Sequence, residues 1–187
     1  MIRPLLLQAA LNTTGDINIT GVTNSGWAIT NYVNGVGAYN NTNTANNGAI
    51  NLTATATTSG YGVFFSTYGA LSAKSITVIG STGTNGNYAA YLGAMTIVAG
   101  GGNINVTGTV AASTNTAIYQ AGAITDNTAG SNISFIANGI INQTGAIALV
   151  ANTTATAASI TYNTTSDGIA STIATGALTV AAGTNSS

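Results

Sequence analysis

The chain has 187 residues, 45% of them hydrophobic and only 3% charged, with a net charge of −1 and neither cysteine nor histidine. This excludes disulfides, thiolate or imidazole metal sites and a cysteine nucleophile, and gives no basic footprint for nucleic acid or an anionic membrane. Regular Ile, Val and Leu with a single proline argue against disorder, and no 18-residue stretch is free of Asn, Thr, Ser or Gly clusters, which argues against a membrane helix.

Residues 1–14 stand apart. Arg3 followed by Leu5-Leu6-Leu7-Gln8-Ala9-Ala10-Leu11 has a trace of signal-peptide character, but Gln8 interrupts the run and no small-x-small cleavage site is present after it. The segment reads as an apolar stretch that covers the first coil of the repeats beginning at Gly15, or continues from a neighbouring coil.

From Gly15 a phrase recurs: Gly15-Asp16-Ile17-Asn18-Ile19-Thr20-Gly21, Gly48-Ala49-Ile50-Asn51-Leu52-Thr53, Ser75-Ile76-Thr77-Val78, Gly102-Asn103-Ile104-Asn105-Val106-Thr107-Gly108, Asn132-Ile133-Ser134-Phe135 and Ser159-Ile160-Thr161-Tyr162. Apolar and small polar residues alternate with period two, the pattern of a half-buried strand. The anchors Ile17, Ile50, Ile76, Ile104, Ile133 and Ile160 lie 33, 26, 28, 29 and 27 residues apart, a solenoid period.

A Gly/Asn/Thr/Ser turn comes after each leading strand. Then comes a second apolar strand (Trp27-Ala28-Ile29, Tyr61 to Phe65, Tyr88 to Leu92, Ala117-Ile118-Tyr119, Gly139-Ile140-Ile141, Gly168-Ile169-Ala170) and a third opened by Gly-Ala, at residues 69, 93, 122, 145 and 176. In the first repeat Gly37-Ala38-Tyr39 takes the third place, and the polar run Tyr39 to Asn47 reads as a bulging loop. The predicted fold is therefore all-β: a right-handed parallel β-helix, or β-solenoid, over 15–184, with about six coils, three short strands per coil and a tail at 185–187.

Such stacking explains the missing charge. Equivalent residues of successive coils lie about 4.8 Å apart, so a column of like charges costs on the order of 1 kcal/mol per neighbouring pair even in water. Ile17/Ile19, Ile50/Leu52, Ile76/Val78, Ile104/Val106 and Ile133/Phe135 are expected to form inner columns, and Asn18, Asn51, Thr77, Asn105, Ser134 and Thr161 an outer polar one.

The copies of Gly-x-Ile-x-[Ile/Leu/Val]-Thr-Gly across 15–182 resemble the rod repeats of filamentous haemagglutinin-like adhesins, the exoproteins of two-partner secretion. The resemblance implies a β-helix at the cell surface or released from it, working in attachment or aggregation. That family's secretion domain carries Asn-Pro-Asn motifs, whereas Pro4 is the only proline here. The resemblance therefore implies a piece of the shaft or a shorter relative.

No catalytic, cofactor-binding or metal residues are assigned. Asp16, Asp126 and Asp167 fall in different coils and Glu is absent, which leaves no carboxylate pair for glycan cleavage. Gly100-Gly101-Gly102-Asn103 lacks the aspartate of a calcium-binding coil and reads as a corner. Trp27, Tyr61, Tyr88 and Tyr119 are expected to stack as a packing ladder, with a carbohydrate-binding strip as the rival reading. The expected function is a non-catalytic extracellular rod whose main partner is itself, head to tail, with surface glycans as a further partner and no nucleic acid. Rival expectations are a shaft fragment of a large adhesin and an ice-binding solenoid, the latter suggested by Thr53-Ala54-Thr55-Ala56-Thr57.

Overall fold

A computed structural model describes residues 5–6, 15–30, 39–42, 48–66, 69–93, 95–99, 102–112, 114–126, 132–151, 159–164, 173–174 and 178–182. Its strands are β1 (Leu5–Leu6), β2 (Ile17–Thr23), β3 (Trp27–Thr30), β4 (Tyr39–Thr42), β5 (Ala49–Ala56), β6 (Ser59–Phe65), β7 (Gly69–Ala73), β8 (Ser75–Thr82), β9 (Asn85–Leu92) and β10 (Met95–Ala99). Further along are β11 (Ile104–Val110), β12 (Thr116–Gln120), β13 (Ile124–Asp126), β14 (Asn132–Ala137), β15 (Ile140–Gln143), β16 (Ile147–Ala151), β17 (Ser159–Thr164), β18 (Ile173–Ala174) and β19 (Leu178–Ala182).

These strands form three parallel sheets: sheet I in the order β2-β5-β8-β11-β14-β17, sheet II in the order β1-β3-β6-β9-β12-β15-β18, and sheet III in the order β4-β7-β10-β13-β16-β19. The chain visits I, II and III in turn and returns to I one strand further along. This is a β-solenoid of stacked parallel strands, the arrangement open to parallel neighbours that no hairpin can join.

Register is set by the alternating pattern, since a one-residue slip would turn every inner side chain outward. Ile17, Ile50, Ile76, Ile104, Ile133 and Ile160 pair in one column, and Ile19, Leu52, Val78, Val106, Phe135 and Tyr162 in the next. From Ile50 to Phe135 these inner side chains are fully buried. The expected outer column is also in place, running Asn18, Asn51, Thr77, Asn105, Ser134, Thr161. Uneven repeat lengths leave the ladder undisturbed: Ile17 meets Ile50 across 33 residues and Ile50 meets Ile76 across 26, because the difference is taken up between strands.

Two expectations are corrected. The polar run after Gly37-Ala38 is not all loop: Tyr39 to Thr42 is β4, paired with β7 from Gly69 to Ser72, while 43–47 lie outside the described residues. The second strand of the last repeat is β18, with Ile173 beside Ile141, and Gly168–Ala170 lies outside the described residues. The glycine that closes the recurring phrase lies inside its strand, since β2 runs through Gly21 to Thr23 and β11 through Gly108 to Val110.

Those glycines serve packing. Gly21, Ala54, Gly80, Gly108 and Ala137 form one buried column, pressed against the backbone of sheet II. A Cβ at Gly21 would stand 2.5 Å from the Ala28 carbonyl oxygen and one at Gly108 2.7 Å from that of Ala117; at Gly80 it would overlap the Ala89 carbonyl. Where sheet I instead carries Ala54, the neighbour on sheet II is Gly62. Each of these four coils thus pairs one glycine with one alanine where the sheets close to a narrow corner. At the tip of that corner Gly26 and Gly60 hold φ of 90° and 106°, the left-handed region that favours glycine.

Gly108→Ala is expected to cost about 1–3 kcal/mol in chemical denaturation, the usual range for forcing extra volume into a packed site. The contacts it would meet are the Ala117 backbone and the Ile118 side chain, so a Gly108→Ala variant as stable as the parent would show that the sheets do not close tightly there.

Candidate functional site

In a regular strand, residues three apart point to opposite faces and lie about 10 Å from one another. On sheet II they do neither. The consecutive pairs Ala28-Ile29, Gly62-Val63, Ala89-Ala90 and Ala117-Ile118 are all buried, so each strand bends there and the residues on either side emerge on the same outer face. Tyr61 and Phe64 come within 4.4 Å between ring centroids, and Tyr88 and Tyr91 within 5.3 Å.

Stacking along the solenoid extends these pairs into one half-buried cluster of six rings. Trp27 stacks on Phe64 at 5.6 Å, Tyr61 on Tyr88 at 5.7 Å and Tyr91 on Tyr119 at 4.8 Å, while Phe64 meets Tyr91 at 4.9 Å. The expected single ladder is therefore corrected to two columns. Trp27, Tyr61 and Tyr88 share one; Tyr119 pairs with Tyr91 in the other, beside Phe64. Period alone could not separate them, because the bend that brings them together depends on inward packing. Burial, followed by the neighbouring Tyr119, Tyr88 and Tyr61, pushes the Tyr91 hydroxyl up, so it stays neutral at physiological pH. The surface is an aromatic platform that carries four phenol groups, Tyr61, Tyr88, Tyr91 and Tyr119.

Asp16 and Asp126, the two aspartates among the described residues, stand at different sheets. Asp16 precedes sheet I, exposed, and its Oδ1 accepts the Ala49 backbone N–H at 2.8 Å. Asn103 Oδ1 does the same for Asn132 N–H at 2.9 Å, and Asn132 Oδ1 for Ser159 N–H at 3.1 Å. Asp16 thus shares with Asn103 and Asn132 a corner motif in which an Asx side chain takes the first donor of the following coil, whereas Ala49 and Ser75 hold the equivalent position in the two coils between. Asp126 lies on sheet III, and Asp167 outside the described residues. Gly102 lies at the bend before β11, as a corner should, while Gly100 and Gly101 lie outside the described residues. Among the described residues no three His, Cys, Asp or Glu side chains come together.

A buried polar pair is not among the columns expected from the sequence. Phe65, Leu92, Gln120 and Gln143 occupy one inner column of sheet II, and both glutamines are fully buried. The signal is present as a repeated Gln-x-Gly-Ala-Ile, at Gln120 to Ile124 and Gln143 to Ile147. Each Nε2 donates to the carbonyl of the glycine two residues on, Gly122 or Gly145, closing the turn into sheet III. Gln143 Oε1 accepts the Tyr162 hydroxyl at 3.0 Å. One coil earlier Phe135 stands where Tyr162 stands, and Gln120 Oε1 has no hydrogen-bond partner.

No family model, curated protein or solved structure matches the chain. The functional reading accordingly rests on geometry and surface chemistry.

The glutamine column has two testable outcomes. Phe135→Tyr supplies Gln120 Oε1 with the donor that Gln143 already has, and should stabilise the fold by about 1 kcal/mol in denaturant titration. Burial pushes the Tyr162 hydroxyl up from 10.0 to about 12, so the folded state favours the neutral phenol. Its contribution to stability is complete below pH 10 and is lost as pH rises through 12. The melting temperature should fall across that window, and less steeply in Tyr162→Phe.

Proposed function

We propose that this chain is a non-catalytic, extracellular structural rod, a right-handed solenoid of six coils with three strands each, that joins end to end with copies of itself into a surface filament or matrix fibre. The observation that carries this reading is the pair of open ends. Among the described residues β2 and β4 are paired on one side only, as are β17, β18 and β19 at the opposite end. Unpaired parallel edges are templates for further strands, and because every pairing is parallel, the last coil of one copy offers the first coil of the next the same ladder it offers its own neighbours. Such a head-to-tail contact propagates. Scarcity of charge favours it, since no column of like charges opposes the joint. Surface glycans are a further partner, with the aromatic platform on sheet II as the contact.

The amino-terminal strand alters the geometry of the joint. β1 pairs Leu5 with Ile29 and Leu6 with Thr30, so sheet II carries a further strand at the end where, among the described residues, β2 and β4 have none. An incoming copy seated on β2 and β4 must therefore displace this two-residue strand. The same observation favours a second reading, a shaft segment of a large secreted adhesin, in which β1 ends a coil completed by residues further upstream.

Negative-stain microscopy of the purified protein should reveal filaments one rod wide or wider, and removal of residues 1–14 should lengthen them by exposing β3. Isolated short particles in both preparations would refute end-to-end assembly.

A further inference from the structure

We infer that the outer face of sheet I is a self-association surface through which two rods pair side by side, face to face. Among the described residues, the exposed large hydrophobic side chains are Val22 at 55%, Ile79 at 40% and Ile136 at 39%. All three lie on this one face. Ile79, Thr107 and Ile136 are consecutive in a single column, which continues above Ile79 as Thr53 and Thr20. Isolated exposed apolar residues are ordinary on a protein surface, but three on one face, two of them in one column, mark a patch that meets something other than bulk water.

The rest of the face suits the same occupant. Its remaining outward positions, such as Asn51, Thr55, Thr77, Ser81, Asn105 and Ser134, are short and uncharged. Charge is scarce throughout the chain, so its absence alone singles out nothing; shortness matters more, because small side chains let two sheets approach to about 10 Å. The side chains are also held in advance. Asn51 Nδ2 donates to Asn18 Oδ1 at 2.9 Å and the Ser81 hydroxyl to Thr55 Oγ1 at 3.0 Å, so less rotamer freedom is lost on contact. Sheet II differs, its outer face being occupied by rings that pack on one another.

Area points to a second copy as the occupant. Six strands about 4.8 Å apart and some seven residues long give a flat face of roughly 650 Å². Two such faces together bury about 1,300 Å², above the roughly 1,000 Å² that a specific interface needs. A face meeting its own copy about a two-fold axis matches itself, column against column. The contact concerns rod width and holds whether or not copies join end to end.

The test is mass per unit length, by scanning transmission microscopy or small-angle scattering, on three proteins. The parent chain is expected at twice the single-rod value. Ile79→Lys adds a charge from each copy to the contact and should halve it, whereas Ala123→Lys, exposed between sheets II and III, should leave it unchanged. If circular dichroism shows Ile79→Lys misfolded, the uncharged double variant Ile79→Thr/Ile136→Thr replaces it and should weaken pairing at least about tenfold. A single-rod value for the parent, or equal effects of both lysine variants, would overturn the inference. So would thermal hysteresis from a single-width rod, which would assign the face to ice.

Discussion

Along the strands of sheet I, a residue lies directly above its counterpart in the coil before, at the spacing of a parallel backbone pair. That constraint governs the rest of the molecule. It multiplies the consequence of each residue type by the number of coils: an inward isoleucine becomes an aliphatic column, an outward asparagine an amide ladder, and a charge would become a repelling row. The composition, rich in Ile, Asn and Thr and almost free of Asp, Glu, Lys and Arg, is what such multiplication tolerates. It also explains why repeats of unequal length coexist, since the ladder fixes the strands and leaves the connections free to differ.

Where a column changes type, the change is compensated locally. The inner column that begins as Phe65 and Leu92 continues as Gln120 and Gln143, and the amides turn back onto the glycine carbonyls at the entry to sheet III. The column of Ile19 ends as Phe135 and Tyr162, whose rings stack at 5.2 Å and 8°. The tyrosine hydroxyl reaches the Gln143 amide of the coil before. At the corner between sheets I and II the exchange of glycine for alanine obeys the same logic, because the available volume is shared between two backbones.

A solenoid built this way has two kinds of surface to offer: edges at its ends and faces along its sides. Among the described residues the terminal strands β2, β4, β17, β18 and β19 are paired on one side only. The faces differ from one another, one carrying six aromatic rings and another left short and partly apolar. The proposed assembly role would use these features directly, while Asp16 serves the ladder itself by receiving a backbone donor.

Alternation of Ile with Asn or Thr, repeated at a solenoid period, determined by itself the strand type, the parallel stacking and both principal inner columns of sheet I, because period-two patterning and register are local properties repeated along the chain. The repeated Gln-x-Gly-Ala-Ile was equally present in the sequence, though its burial was not. Only the tertiary structure decided that Tyr39 to Thr42 is a strand, that Gly21 and Gly108 relieve a close approach between sheets, and that Phe64 and Tyr91 join Trp27, Tyr61, Tyr88 and Tyr119. Each of these depends on what lies across the coil or one coil away. Sequence spacing carries the order of residues along the chain, whereas the distance between two sheets is set by the volume of everything packed between them.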